Sequence, residues 1–324
     1  MRYRTGFRLA ALGCVAWLTP PLRAQGLPPY ASMNPMVVSR TGLATQPYVM
    51  PGPTWRITAL VDYASPIEYA APPSSTAAYL LDAELLRAEV TVVRELGKRS
   101  FLLGQTSMNA AYDGFLDGFI DWYHDLFHFP TGARKIRPRN QFGDSLAIAG
   151  GPHLLRSKPG AYLGDVRLGA GFRHSGHWQT MVSATLPTNT GPEGFRRGTV
   201  SINAVTTLRS DFAGGRFTYE GTLGGGFTPT RGDLDEFQHS TFLMVSQGLR
   251  ARVAGPLHLY TNLIYHSALY RDTGTSELDG RELTIDFGGF FKFRRGPEWI
   301  VGLTEDLEPS GPAIDVSFRL GARW

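Results

Sequence analysis

From Trp55 onward, apolar and polar residues alternate in short runs with a period of two. The first run places its apolar residues on one face and its polar residues on the other, with Trp55, Ile57, Ala59, Val61 and Tyr63 opposite Arg56, Thr58 and Asp62. Because side chains alternate between the two faces of a strand, this pattern predicts strands with one apolar and one polar face. A membrane barrel with a polar lumen requires such strands. A soluble sandwich gives the same alternation with its faces reversed, so periodicity alone does not choose between them.

The connections between the predicted strands favour the barrel. Tight connections near 97–98, 174–177, 213–215, 254–256 and 294–297 alternate with long polar ones at 64–78, 188–197, 227–238 and 270–280. Membrane barrels have short periplasmic turns and longer external loops. The runs, of roughly 10 to 14 residues, also exceed the 5 or 6 residues that are usual in soluble sheets.

The sequence therefore predicts an all-β fold, an antiparallel transmembrane β-barrel of about twelve strands with both chain ends on the periplasmic side. Residues 142–149 could form a further strand. A thirteenth span would break the even number, so we place this stretch in a long excursion at 110–160. The predicted strands are 55–63, 80–95, 99–109, 161–173, 177–187, 198–210, 214–226, 239–253, 256–269, 280–294, 297–306 and 312–324.

The last predicted strand carries the strongest single indication of a membrane barrel. Its apolar residues alternate strictly and the strand stops on an aromatic residue, as Ile314, Val316, Phe318, Leu320, Ala322 and Trp324. This ending resembles the terminal strand by which bacterial outer-membrane barrels are recognised for assembly. The resemblance implies two partners, the barrel-assembly machinery and outer-membrane lipid.

One stretch, Asp113 to His128, has the periodicity of a helix instead. At roughly 100° per residue, eight apolar residues share one arc, and they are Phe115, Leu116, Phe119, Ile120, Trp122, Tyr123, Leu126 and Phe127. The opposite arc holds two glycines and six ionisable residues, Asp113, Asp117, Asp121, Asp125, His124 and His128. We predict one amphipathic helix at 113–128 that buries its aromatic face, either as an external lid or folded into the lumen.

The four aspartates of this helix stack at i, i+4 steps and repel one another. Four basic residues follow directly, Arg134, Lys135, Arg137 and Arg139. One interpretation is that this basic loop folds back on the acidic face. A second is a metal site at Asp121, His124 and His128, with Asp117 or Asp125 nearby, because the two histidines have the i, i+4 spacing of helical zinc sites. The leading interpretation is simply a solvated polar face.

The first 24 residues have the pattern of a secretory signal peptide, with three early arginines, an apolar core at 9–18 that contains Cys14, and a cleavage site after Ala24. Removing them takes four of the 32 basic residues, which leaves 28 against 28 acidic ones. A near-neutral chain weakens any prediction of nucleic-acid binding. Residues 25–54 hold six prolines and no periodicity, and we interpret them as an extended N-terminal arm, either a periplasmic tail or a plug of the lumen.

The remaining candidate chemistry is weak. The sequence contains no GxSxG, P-loop or HExxH pattern, and we predict neither a cofactor nor an enzyme. His266 and Ser267 are neighbours, but adjacent strand residues face opposite ways and cannot form a relay. His258, Asn262 and His266 share a face that is predicted to line the lumen.

Two resemblances add to this interpretation. The segment GFLDGFIDWYHDLF followed by TGARKIRPRN at 110–140 resembles DUF3187, a family of secreted, barrel-like proteins of unknown function. It implies a fold and carries no activity. LGDVRLGAGF at 163–172 and ATLPTNTG at 184–191 are similar to outer-membrane barrels of the meta-pathway phenol-degradation type. There a strand that opens on Gly-Asp is followed by one that ends in a Pro-Thr-Gly loop, an ending that Asn189 and Thr190 interrupt here.

Together these patterns favour an outer-membrane channel of a Gram-negative bacterium, a passive uptake route for small solutes, apolar ones included. The 113–128 helix is the expected gate, through Asp113, Asp117, Asp121, Asp125, Phe115, Phe119, Trp122 and Tyr123. The four basic residues of the loop are expected to set the charge at its mouth. A non-conducting structural barrel is the main alternative, because small barrels can be filled by their own side chains. A surface lipid hydrolase is the third.

Overall fold

Twelve antiparallel strands form a single sheet that closes into a barrel, since β1 pairs with both β2 and β12. The computed structural model describes residues 26–324 except 53, 73–75, 129–131, 136, 156–157, 193, 294–295 and 309. The predicted leader at 1–24, with Cys14, lies outside the described residues. The barrel strands are β1 (Trp55–Ala64), β2 (Glu84–Glu95), β3 (Ser100–Tyr112), β4 (Val166–Arg173), β5 (Trp178–Leu186), β6 (Ser201–Phe212), β7 (Phe217–Phe227), β8 (Thr241–Ala254), β9 (Leu257–His266), β10 (Glu282–Lys292), β11 (Glu298–Asp306) and β12 (Val316–Arg323).

The prediction of twelve spanning strands is therefore confirmed, with changes at β2 and β4. Of the predicted strand 80–95, residues 80–82 belong to the short strand Ala78–Asp82 outside the barrel wall, and β2 begins at Glu84. The fourth predicted strand divides in two at Gly164, where its pairing with β3 shifts by one residue, from Met108 opposite Leu163 to Gln105 opposite Arg167. Residues Gly160–Leu163 form a separate short strand on β3. The stretch predicted at 142–149 supplies the strand Gly143–Ala147, which lies in the excursion as expected and outside the barrel wall.

The two faces of the wall have opposite character. Outward-facing side chains such as Leu243, Leu263 and Leu320 are exposed, and lumen-facing ones such as Asn262 and Asp286 are buried. A soluble sandwich would bury the apolar face. The observed arrangement is the one that hydrocarbon outside and polar groups inside require.

The connections divide the barrel into two ends. Five of them are tight and join β2 to β3, β4 to β5, β6 to β7, β8 to β9 and β10 to β11 at what we call the short-turn end. The other six are long, and they meet at the opposite, long-loop end. There, four short strands form a second sheet in the order Ile67–Ala70, Ala78–Asp82, Gly143–Ala147, His153–Leu155. Short helical turns occur at Gly132–Lys135, Gly232–Phe237 and Ser276–Asp279.

Residues 26–50, which we call the lumen segment, lie inside the barrel as a hairpin. Its two arms meet where the Tyr30 N–H donates to Thr45 Oγ1 (2.7 Å) and the Thr45 N–H donates to the Tyr30 carbonyl (2.8 Å). Helix α1 (Pro35–Arg40) forms its tip. It begins there because Asn34 Oδ1 accepts a bond from the N–H of Met36 (2.8 Å) and Pro35 follows the cap.

Helix α2 (Asp117–Phe127) forms within the predicted 113–128 stretch. It begins later than expected because Gly114 turns the chain with φ +65° and the N–H of Phe115 donates to Glu84 Oε1 (2.5 Å) at the start of β2. In the described part of the chain, no helix is long and apolar enough to cross a membrane.

The expectation that α2 buries its aromatic face is wrong. Phe119 and Trp122 are 44% and 56% exposed, whereas Asp117 and His124 on the polar arc are 5% and 2% exposed. The rings of Phe115 and Phe119 lie 6.2 and 6.0 Å from those of Tyr63 and Phe318. Tyr63 and Phe318 occupy outward-facing positions of β1 and β12, so α2 lies against the outer surface of the wall.

Candidate solute passage beside the lumen segment

Hydrogen bonds from the wall hold the lower part of the lumen segment near the short-turn end. Arg323 Nη2 donates to the Gly26 carbonyl (3.0 Å), and Glu220 accepts from the N–H of Leu27 (3.0 Å). On the second arm, Thr207 Oγ1 donates to the Gln46 carbonyl (2.6 Å). The segment has no regular structure here, so its backbone groups bond to the wall instead of to each other.

The upper part of the segment is held in the same way near the long-loop end. Arg87 donates to the carbonyls of Ser32 (2.8 Å) and Ala31 (2.9 Å). The Asn34 amide donates to Glu68 Oε2 (3.1 Å), which belongs to the small sheet. The segment is therefore fixed at both heights by non-covalent bonds.

Two ion-pair networks compensate the lumen charges of the wall. In the first, Asp62 accepts from Arg319 (2.7 Å) and Arg87 (2.9 Å), and Arg319 also pairs with Asp286 (3.0 Å). Each of these four side chains is at least nine-tenths buried. Their charges cancel in place, which lets the wall carry ionised groups away from bulk water.

A second network lies at the short-turn end. Glu298 pairs with Arg250 and Arg323, at 2.6 Å in both cases. The Arg250 guanidinium also lies over the Phe290 ring, 4.1 Å from its centroid. Arg323 belongs both to this network and to the attachment of Gly26, so the wall network and the lumen segment share a residue.

Three cavities lie along the lumen segment from the long-loop end to the short-turn end. The outer cavity, of about 440 Å³, is lined by Ser39, Arg40, Asn189, Arg196, Arg197 and Arg231 among others. The middle cavity, of about 110 Å³, has a mixed lining that includes Leu43, Glu89, Gln105, Tyr162, Arg167 and Phe195. The inner cavity, of about 190 Å³, is lined by residues that include Gln46, Val49, Arg56, Thr91, Leu103 and Arg323.

Neighbouring cavities share wall residues, and an arginine stands at each junction. The outer and middle cavities share Asn189 and Arg197. The middle and inner cavities share Gln105 and Arg167. The three cavities therefore adjoin one another along the lumen segment: the outer one lies among the long loops, and the middle and inner ones lie beside β1 to β4.

The junction arginines are buried and keep unused donors. Arg197 pairs with Asp165 (3.0 Å) and donates from Nη2 to two carbonyls of the lumen segment, at 2.6 and 2.9 Å. Arg167 donates to Ser183 Oγ (3.0 Å) and to Gln105 Oε1 (3.4 Å). Among the described residues, neither Arg197 Nη1 nor Arg167 Nη2 has a hydrogen-bond partner. Burial lowers the pKa of Arg197, and the Asp165 carboxylate opposes that shift.

The residues predicted as a charged mouth lie elsewhere. Arg134 is buried and donates to Asp117 (3.2 Å), and Arg139 pairs with Asp121 (2.7 Å), so the expected pairing of the basic loop with the acidic face is present. Arg137 pairs with Asp82 of the small sheet. Lys135 is exposed. None of these four basic residues lines any of the three cavities.

Burial of Asp117 also overturns the leading interpretation of a solvated polar face. Its carboxylate accepts from Ser65 Oγ (3.1 Å), from Arg134 and from the N–H of Asn140 (2.6 Å). Asp113 and Asp125 are exposed, in agreement with that interpretation, but His124 is not.

The structure does not bring the residues of the proposed metal site together in the geometry that a metal ion would need. Within the described ranges, no group of three or more His, Cys, Asp or Glu side chains could hold a metal ion, Asp121, His124 and His128 included. His128 ends α2 in the left-handed conformation with φ 58°.

Sequence reasoning missed the arginines of the passage. Arg40 belongs to the tip of the lumen segment, and Arg196, Arg197 and Arg231 belong to long-loop connections, where no periodicity marks their direction. Arg167 could have been found, because it lies between Val166 and Leu168 in a predicted strand and so takes a lumen-facing position.

Comparison with known proteins gives a family and a set of distant structures. The family described as "Protein of unknown function (DUF3187)" matches residues 21–324. No curated protein matches the sequence. The COG4313 outer membrane channel from Pseudomonas putida F1 is similar at 12% identity, with a TM-score of 0.48 over 85% of this chain and 98% of that one.

Two further solved structures are similar at comparable distance. The KdgM porin shares 8% identity, with a TM-score of 0.41 over 83% of this chain and 98% of the porin. The toluene transporter TodX from P. putida shares 8% identity, with a TM-score of 0.43 over 90% of each chain.

Proposed function

The chain belongs to the DUF3187 family, and we propose that its barrel is a passive channel of the bacterial outer membrane for small solutes. The apolar outer wall and the division into short-turn and long-loop ends support a location in the outer membrane, with the long loops facing outward. The solute would enter at the outer cavity and leave at the inner one.

The observation that carries this proposal is the row of adjoining cavities on one flank of the lumen segment. The opposite flank is packed closely. A Cβ at Gly26 would lie 2.7 Å from Glu220 Oε1 of β7, and one at Gly248 of β8 would meet Leu27 Cδ1 of the lumen segment. Side chains thus fill the lumen beside β7 and β8, while space remains beside β1 to β4.

The lumen segment is the element that would control flow. It occupies the lumen, and the bonds that hold it are hydrogen bonds from side chains such as Arg87 and Arg323, which can break without disturbing the strand ladder. The sequence suggested α2 as the gate. We do not propose that role, because Phe115 just before α2 and Phe119 within it contact outward-facing Tyr63 and Phe318. No residue of 113–128 lines the three cavities.

Conductance through planar lipid bilayers tests the proposal. The full chain, a variant without residues 26–50 and a variant without residues 113–128 are refolded, and heat-modifiable gel mobility confirms that each forms a barrel. Removal of the lumen segment is expected to raise the conductance, and removal of the α2 region is expected to leave it unchanged.

Two outcomes oppose the proposal in different ways. If none of the three folded proteins conducts, the barrel is a closed structural element. If deletion of 113–128 raises conductance and deletion of 26–50 does not, the α2 region is the gate after all. Should the chain lacking 26–50 fail to fold, Gly42→Val tests the same segment by displacement, because a Cβ at Gly42 would lie 2.7 Å from Asn203 Nδ2 of the wall.

A further inference from the structure

We propose that the outer cavity binds small anionic solutes, so that the passage favours organic carboxylates. This inference rests on the channel function proposed above, and it names the solute class. Four arginines, Arg40, Arg196, Arg197 and Arg231, line the outer cavity. Among the described lining residues, Asp233 is the one acidic side chain.

Arg40 is the clearest sign that the charge of this cavity is not balanced within the protein. It is 2% exposed, and its Nη atoms donate to the backbone carbonyls of Thr228 (3.0 Å), Pro229 (3.1 Å) and His239 (3.0 Å). It forms no ion pair within the described ranges, and its Nε has no hydrogen-bond partner there. A buried cation without a nearby anion is costly, so a ligand that supplies the negative charge is stabilised at this position.

Arg197 provides a second donor at the floor of the same cavity. Its Nε faces Asp165, and Nη2 faces the lumen segment, which leaves Nη1 unpartnered among the described residues. A carboxylate accepts two parallel N–H bonds from guanidinium groups and matches their planar geometry. Arg196 and Arg231 are exposed at the rim, where they would attract an anion before it reaches Arg40 and Arg197.

The middle cavity limits the shape of the solute more than its charge. Arg167 and Glu89 both line it, so charges of both signs are present there. Its lining also includes Leu43, Tyr162 and Phe195. A small carboxylate with an apolar body fits both cavities, since the charge is recognised in the outer one and the body is accommodated in the middle one.

Reversal potentials in a KCl gradient across planar bilayers test the charge preference. The full chain is expected to be anion-selective, and Arg196→Gln combined with Arg231→Gln is expected to reduce the preference for chloride without affecting the fold. Arg271→Gln is the matched control, because Arg271 is an exposed arginine at the long-loop end that does not line the outer cavity.

Calorimetric titration of the detergent-solubilised protein with benzoate, and separately with inorganic phosphate, tests binding without requiring conduction. Arg197→Gln and the rim pair are each expected to weaken benzoate binding by about tenfold or more, the loss typical of one charged hydrogen bond. A preference for phosphate would replace carboxylate by phosphate as the solute class.

The possible failures are distinguishable. If the protein binds benzoate but does not conduct, the proposed channel function fails and the proposed anion site stands. If the channel is cation-selective, the anion site is overturned and the channel function stands. The same holds if the chloride preference changes equally in Arg271→Gln and in the rim variant. Equal benzoate affinity in the full chain and in Arg197→Gln also overturns it.

A different observation carries a second proposal, that the aromatic face of α2 lies among the acyl chains of the outer leaflet. Phe115, Phe119 and Trp122 are exposed, and their side of the helix continues the apolar outer surface at Tyr63 and Phe318. This continuity assigns lipid as the occupant, because the wall beside α2 faces hydrocarbon already. Amphipathic helices lie in membrane interfaces in this orientation.

Buried polar contacts keep α2 on the barrel in this orientation. Asp117 bonds to Ser65 and Arg134, and Glu84 accepts the N–H of Phe115. These bonds hold the polar arc toward the protein, so rotation of the aromatic arc inward would break a buried ion pair.

Spin labels test this placement in proteoliposomes of the full chain in which Cys14 is replaced by Ser. A label at Phe119→Cys is expected to be more accessible to oxygen than to a water-soluble nickel chelate, as is one at Leu320→Cys on the apolar wall. A label at Asp125→Cys is expected to show the reverse. Greater nickel accessibility at Phe119→Cys would place that face in water, low accessibility to both reagents would place it against protein, and dipolar broadening would indicate a second copy. Each of these results overturns the proposal.

Discussion

The buried network around Asp62 permits a quantitative prediction of stability. Asp62 is 2% exposed and accepts charged hydrogen bonds from Arg319 (2.7 Å) and Arg87 (2.9 Å). Asp62→Asn keeps one acceptor, removes the negative charge and presents an amide donor to a guanidinium. Asp286 still compensates Arg319, and Arg87 is left without an ion-pair partner among the described residues.

Breaking a buried ion pair by removing one partner costs about 3–5 kcal/mol. Because the amide oxygen still accepts one bond, we expect a loss of about 3 kcal/mol for Asp62→Asn. The double variant Asp62→Asn with Arg87→Gln removes the uncompensated cation as well, and it should recover about 1 kcal/mol of that loss.

Reversible urea unfolding in detergent micelles, followed by tryptophan fluorescence, measures these differences. The control is Asp125→Asn, which removes an exposed charge on α2 and should change the free energy of unfolding very little. A loss below about 1 kcal/mol for Asp62→Asn would mean that the lumen network is screened like a surface pair, and the reasoning would be refuted.

Three shorter predictions concern other parts of the molecule. A Cβ at Gly42 would lie 2.7 Å from Asn203 Nδ2. Gly42→Val should therefore displace the lumen segment, lower the free energy of unfolding by about 1–3 kcal/mol and raise bilayer conductance. Gly52→Val is the control, because a Cβ at Gly52 would meet no atom closer than 3.9 Å and should change neither quantity. Burial and nearby carboxylates raise the pKa of Glu68 well above 4.5. The free energy of unfolding therefore falls as the pH rises above 4.5, because the unfolded chain loses this proton more readily than the native protein does. Glu68→Gln should therefore have a higher urea midpoint than the parent at pH 8 and the same midpoint at pH 4. An equal difference in midpoint at both pH values would contradict this prediction. Arg134→Gln leaves a carboxylate buried, and should speed proteolysis of residues 113–140 while heat-modifiable mobility is kept; unchanged proteolysis would show that the ion pair does not hold α2.

The barrel wall could be predicted from the sequence because its information is local. Each strand alternates along its own length, and a strand such as Phe217–Phe227 needs no knowledge of its neighbours to be recognised. The parity of strands and the alternation of loop lengths then fixed the number of spans. The two spans that differed, β2 and β4, depend on contacts between residues that are distant in sequence. Ala78–Asp82 pairs with Gly143–Ala147 instead of continuing β2, and the pairing of β4 with β3 shifts at Gly164.

The orientation of α2 could not be predicted in the same way. Helical periodicity tells which residues share a face, and it does not tell what that face meets. For a soluble protein the aromatic arc would turn inward. Here the surroundings are apolar, and the buried bond between Asp117 and Arg134 selects the opposite orientation.

The lumen segment and the outer cavity left no pattern to recognise. Residues 26–50 are shaped by bonds to many strands, so their sequence has no period. Arg40 and Arg197 meet only in the folded protein, 157 positions apart, and each stands in a stretch where arginine is an ordinary surface residue. Cavities of this kind depend on the tertiary structure as a whole.

The hairpin form of the lumen segment has a topological consequence. Its two arms both descend to the same mouth of the cylinder, at Gly26 beside Arg323 and at Val49 beside Arg173. The pairing of β1 with β12 that closes the barrel can therefore form independently of the lumen segment. Displacing the segment through this mouth requires no hydrogen bond between strands to break.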